Sequence, residues 1–114
     1  MYEPTYAISP YRIMWVFVFF DLPTETKKQR KAYADFRKKL IKEGFAMHQF
    51  SVYIRHCASI EHMEAVMKRV ERILPEFGKI SLMSVTDKQF ERIRHFWGVM
   101  RTAGPEAPQQ LSMF

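Results

Sequence analysis

Asp21 stands where an apolar run stops, and Pro23 follows two residues later. A carboxylate at the C-terminal edge of a strand can hold Mg²⁺ through water molecules, and such a metal can set up a water for attack on a phosphodiester. One carboxylate is a sparse donor set, because two-metal cleavage uses several acidic ligands and only Glu25 lies close by in sequence. A twofold axis beside the strand would bring a second Asp21 near the first and double the charge. The competing assignment is an Asp that merely caps the turn into the next helix.

A second group of residues could bind phosphate. Lys27, Lys28, Lys31, Lys38, Lys39 and Lys42 recur on one face of a helical segment, with Arg30 and Arg37 on its flanks and Asp35 as the only interior acid. Charged helix faces are usually just solvated, but this imbalance of sign suits a row of phosphate oxygens. Arg55, Arg92, Arg94 and Arg101 can extend the row. The whole chain carries 18 Lys and Arg against 12 Asp and Glu, a formal charge of +6. That excess favours an anionic partner, with nucleic acid ahead of a membrane surface, since no long basic amphipathic helix carries an aromatic insertion face.

Other chemistries find little support. His48, His56, His62, His95 and Cys57 lack zinc-ligand spacing, and a Cys57–His nucleophilic pair has no visible oxyanion loop or orienting group. No Gly-rich phosphate loop is present, which argues against nucleotide hydrolysis. The aromatic first strand could stack bases, yet it lacks the Arg/Lys-Gly-aromatic signature of RNA-recognition sheets. Burial accounts better for those rings.

The elements that must position these residues follow from periodicity. Met14 to Phe20 is a strand, with Trp15, Phe17 and Phe19 on one face and Met14, Val16, Val18 and Phe20 on the other. A strand apolar on both faces needs two coverings, and a second subunit is the expected partner for the face that helices leave open. The Thr24-Glu25-Thr26 cluster caps a helix to about Glu43, with Tyr33, Phe36 and Leu40 as its buried stripe and Gly44 as its stop. Phe45 to Cys57 is too long for one strand and should split near Gln49 to Ser51. Ser59 opens a second helix with the stripe Ile60, Met63, Val66, Met67, Val70, Ile73 and Leu74. Lys79 to Val85 is the fourth strand. Thr86-Asp87-Lys88-Gln89 is a capping box opening a short third helix that buries Phe90, Ile93 and Phe96 or Trp97.

The order predicts an α+β protein, a ferredoxin-like βαββαβ fold with one antiparallel sheet, a short third helix and a C-terminal strand. Residues 1–12 read as an extended leader, 13–97 as the ferredoxin-like domain, and 98–114 as a C-terminal loop and strand that can be exchanged in a dimer. At 114 residues the chain is one domain with enough apolar content for a real core. A single cysteine, the absence of a signal peptide before the first strand and the absence of an apolar run near 18 residues give the expectation of a soluble, cytoplasmic protein.

Three stretches together resemble the second core CRISPR-associated protein family, the small subunit of the spacer-acquisition machinery in antiviral defence. They are Phe19-Phe20-Asp21-Leu22, the segment from Gly44-Phe45 to Gln49-Phe50-Ser51-Val52-Tyr53, and Leu82 to Gln89, spread over roughly residues 13 to 97 in the family's order. The resemblance implies a homodimer that bridges two dimers of the CRISPR integrase and holds double-stranded protospacer DNA by its phosphates. It also implies, as an alternative, an Mg²⁺-dependent endonuclease acting on RNA or double-stranded DNA, with the metal at Asp21. Two positions depart from the family pattern: Phe20, where many members have Tyr, and Met47, where relatives are often basic. Both bear on catalysis and leave the scaffold role untouched.

In the family the C-terminal strand often joins the partner's sheet, and Leu111 to Phe114 is placed to do so. The terminal Gln-Gln-Leu-Ser-Met-Phe also resembles the peptide by which bacterial proteins dock on the DNA sliding clamp. The strand exchange is the preferred reading, because an open sheet edge gains from an added strand.

Overall fold

The structure, a computed structural model, describes residues 13–98. Strand β1 (Met14–Asp21) is followed by α1 (Lys27–Lys42), β2 (Ala46–Gln49), β3 (Val52–Cys57), α2 (Ile60–Glu71), β4 (Lys79–Thr86) and a short α3 (Asp87–Glu91). The four strands form one sheet in the order β2-β3-β1-β4, antiparallel throughout. The expected βαββαβ ferredoxin-like order is therefore present, with β1 at the centre between β3 and β4.

Local chemistry sets the boundaries. The Thr26 hydroxyl accepts from the Gln29 amide at 3.1 Å, and the Gln29 side chain accepts in return from the Thr26 amide at 3.1 Å. Thr86 and Gln89 repeat this reciprocal pair at the start of α3, at 3.1 and 2.9 Å. Each box satisfies amides that the first helical turn leaves without partners. Between β2 and β3 the two-residue turn Phe50–Ser51 puts Ser51 at φ 64, and the register shifts between Met47 and Gln49. That turn is the break expected at Gln49 to Ser51.

The inner face of β1 supplies the core. Met14, Val16, Val18 and Phe20 pack with Phe36 and Leu40 of α1 and with Met63, Val66 and Val70 of α2. Leu40, Val16, Val18, Val66 and Val70 are essentially inaccessible to solvent. Both helices thus cover the same side of the sheet.

The outer face is covered in part by the chain itself. The Trp15 ring stacks on Phe90 with centroids 3.9 Å apart, and its indole N–H donates to Asp87 at 2.7 Å. Phe17 lies against Phe90 and His48 at about 6 Å and is only 5% exposed. So α3, and not only the expected second subunit, covers the outer face at its Trp15 end.

Two expectations on packing are corrected. Helix α3 ends at Glu91 and has no buried residue; Phe96 and Trp97 lie beyond it, 75% and 79% exposed. A helix of five residues presents little more than one turn, so Phe90 reaches the sheet while residues 96 and 97 do not. Ile60 and Leu74 belong to the periodic pattern of the second helix yet sit about half exposed. Ile60 is the first residue of α2, and Leu74 lies past its end, where the preceding Ile73 packs against the core instead. The leader 1–12, the loop and strand at 99–114, Arg101 and the clamp-like peptide lie outside the described residues.

The Tyr53 hydroxyl is buried without a hydrogen-bond partner among the described residues, and the Tyr53 ring lies 5.5 Å from that of Phe20 between centroids. Leaving such a group unmade costs about 1–3 kcal/mol, and an isosteric apolar replacement removes that cost. Tyr53→Phe is therefore expected to unfold at equal or higher denaturant concentration than the parent chain. A clear fall in the midpoint would show that the hydroxyl is satisfied in solution.

Candidate functional site

Asp21 is the last residue of β1 and is exposed. It does not cap α1, since Thr26 holds that place. The antiparallel register sets Lys79, at the start of β4, directly across from it. Together with Phe19, Phe50, Ser51 and Ser81 these two residues line an open cleft of about 300 Å³. Three separate elements build the cleft: the end of β1, the tip of the β2–β3 hairpin and the beginning of β4.

Two backbone features hold it. Gly78 has φ +86, and a Cβ there would collide with the Leu22 side chain and lie 2.6 Å from the Asp21 carbonyl. Only glycine permits so close an approach of the loop to the Asp21–Leu22 turn. On the other side, the Phe20 amide donates to the Ser51 carbonyl at 3.1 Å, and the Tyr33 and Ser51 hydroxyls share a hydrogen bond of 3.1 Å. The hairpin tip is thereby tied both to β1 and to α1.

The donor set for a metal is thin. No group of three or more His, Cys, Asp or Glu side chains comes together among the described residues. Magnesium keeps near-octahedral oxygen coordination and draws on waters and substrate phosphates around one or two carboxylates. Among the described residues one protomer brings Asp21 as the carboxylate of this cleft, with a lysine opposite, and so does not fit the ion by itself.

The basic residues divide into two kinds. Lys27, Lys28, Lys31, Lys38, Lys39 and Lys42 are all exposed along α1, whose 16 residues make a rod of about 24 Å. The first turn contains no acid, although acids there would be favoured by the helix dipole. Lys31 meets Asp35 at 3.2 Å, a solvent-exposed pair worth little, and Lys28 lies 5.8 Å from the Phe77 ring. Arg55 is of the second kind. Its guanidinium donates to the Glu43 carbonyl at 2.8 Å and the His56 carbonyl at 3.0 Å, and it lies against Gly44, where a Cβ would be 2.7 Å from Nε. It closes the C-terminus of α1. Arg30 similarly donates to the Thr24 and Glu25 carbonyls.

Three features escaped the sequence reading. Lys79 opposite Asp21 depends on strand register, which periodicity does not carry. Glu43 and Arg69 form a half-buried ion pair at 2.7 Å that ties α1 to α2. His48 and His95, far apart in sequence, meet edge to face at 5.1 Å within a second cleft of about 790 Å³ that also includes Gln49, Arg94, Phe96 and Trp97. Burial, and then the neighbouring His95, holds His48 below its ordinary value of 6.5. Burial, followed by Arg55 and Arg69, does the same for His62. Burial pushes the Cys57 thiol up, which leaves it a protonated core residue and a poor nucleophile.

Comparison with known proteins adds a family. The profile described as "CRISPR associated protein Cas2" matches residues 14–93. The chain is 50% identical over 115 residues to a "CRISPR-associated endoribonuclease Cas2" of Flavobacterium psychrophilum, covering all of both chains. It is 50% identical to a protein of the same description from Parvibaculum lavamentivorans, over 89% of this chain and 100% of that one. A third, from Paracidovorax avenae, is 44% identical over 94% of this chain and 99% of its own length. Among the described residues no helix is long and apolar enough to cross a membrane.

The histidine shifts have a sign. With His48 and His62 below 6.5 in the folded protein, the unfolded chain binds more protons just under that pH. Stability is then fully present above 6.5 and falls as the pH drops through it. The thermal midpoint is expected to decline on acidification below pH 6.5, and His48→Gln to flatten that decline. An unchanged pH profile in the variant would remove His48 from this role.

Proposed function

The chain belongs to the CRISPR-associated Cas2 family, and from that premise we propose that it is the DNA-holding subunit of spacer acquisition. Two copies form a homodimer that carries a double-stranded protospacer by its phosphates and bridges dimers of the CRISPR integrase. The observation that supports this is the α1 face: six exposed lysines on one rod, one weak internal ion pair, and no acid in the first turn. Such a surface neutralises phosphate and reads no base edges, so it positions DNA of any sequence. Arg55 can extend this surface only with the guanidinium N–H groups that the Glu43 and His56 carbonyls do not engage.

A second reading is a magnesium-dependent endonuclease centred on Asp21, and it is supported by the word endoribonuclease in the names of the relatives. Asp21 in the open cleft would be joined by the Asp21 of a second copy, and the substrate's phosphate would supply further oxygens. Lys79 opposite the carboxylate provides a cation for that phosphate.

Binding of a DNA duplex is expected to weaken linearly on a log–log plot against salt, with a slope near 0.9 per phosphate neutralised. Replacing Lys27, Lys28 and Lys31 by Gln should lower both affinity and slope, whatever the duplex sequence. Insensitivity to salt would contradict phosphate contact. Asp21→Ala separates the two readings. A scaffold keeps spacer acquisition in an integration assay with its integrase, whereas a nuclease loses cleavage of RNA and DNA altogether.

A further inference from the structure

Phe50, at the tip of the β2–β3 hairpin, is 80% exposed, more than any other large apolar side chain among the described residues. Leaving a ring of that size in water forgoes the stabilisation that burial would give. The ring is nevertheless presented on a stiff support. Ser51 beside it takes φ 64, a left-handed conformation that an L-residue holds only when its surroundings enforce it. The enforcing contacts are the Phe20–Ser51 backbone bond and the Tyr33–Ser51 hydroxyl bond. The Tyr33 ring then stands near Phe50 at 6.1 Å and 25° between planes. The same Phe50 lines the cleft that contains Asp21, Lys79 and Ser81.

We propose that Phe50 is a stacking platform for an unpaired nucleobase, which places the adjoining phosphate at Lys79 beside Asp21. The inference rests on the nucleic-acid reading above and names a single-stranded ligand for the Asp21 cleft. Every base has a π-face, so an exposed aromatic ring accepts any of them, while bases already stacked inside a duplex are not available to it. The cleft, at about 300 Å³, is at the small end of ligand sites and suits one base rather than a double helix. Lys79 offsets the charge of Asp21, which would otherwise repel the phosphate.

The test uses the full chain and two fluorescein-labelled probes, a short oligoadenylate RNA and a blunt DNA duplex, followed by fluorescence anisotropy. Phe50→Ala is expected to weaken oligoadenylate binding about 5- to 100-fold, the loss typical of one stacked base, with duplex affinity held within about twofold. Phe50→Trp should restore RNA binding, and its indole emission should fall when the RNA is added. Equal oligoadenylate affinity for Phe50→Ala and the parent chain overturns the inference, while intact duplex binding leaves the phosphate-holding account standing. Failure of the parent chain to bind either probe removes both. A matched fall of RNA and duplex binding, or a changed sedimentation coefficient in Phe50→Ala, would assign Phe50 to assembly and also overturn the inference.

Discussion

Everything in this protein is arranged around a central strand that is apolar on both sides. Antiparallel sheets commonly leave one face wet, and β1 does not allow this. Its inner side chains are absorbed by α1 and α2. Its outer side chains are absorbed in part by α3, through the Trp15–Phe90 stack and the Trp15–Asp87 hydrogen bond. Toward Asp21 the cover thins: Phe19 is half-buried and Met83, across from Phe17, is 42% exposed. That uncovered end is the surface on which the proposed second copy would sit.

The rest of the site follows from the same constraint. Because β1 is central, its last residue lies between two neighbours, the β2–β3 hairpin and the start of β4, and both contribute to the cleft. Because α1 buries only Phe36 and Leu40 fully, the remaining positions are free to carry lysine. The Glu43–Arg69 pair and the Arg55 hydrogen bond tie the far end of that helix to α2 and β3. The exposed lysines of the helix and the exposed carboxylate at the strand end are thus separate features of one fold.

Much of this was legible from the residues. The Thr86-to-Gln89 capping box, the cap within Thr24-Glu25-Thr26, the helical stripe of Tyr33, Phe36 and Leu40, and the break near Gln49 to Ser51 all depend on short-range chemistry that spacing records. What periodicity could not resolve was where a pattern stops facing the sheet. Ile60, Leu74, Phe96 and Trp97 have the right type and spacing, yet they lie at or beyond helix ends. The position of Asp21 was legible, but its partner Lys79 was not, because register is a long-range property. For Arg55 the charge was legible, while its donation to the Glu43 and His56 carbonyls was not, because those contacts are set by the fold. The sequence likewise offered no sign that His48 and His95 would meet, since 47 positions separate them and no shared element links them.

In the proposed dimer, a second copy of the chain closes the open end of β1's outer face. Sedimentation velocity of the full-length protein at micromolar concentration tests it most directly. A single species with the mass of two chains, converted to single chains by charge placed at Phe19 or Met83, is the expected result. A stable lone protomer under those conditions would contradict the claim.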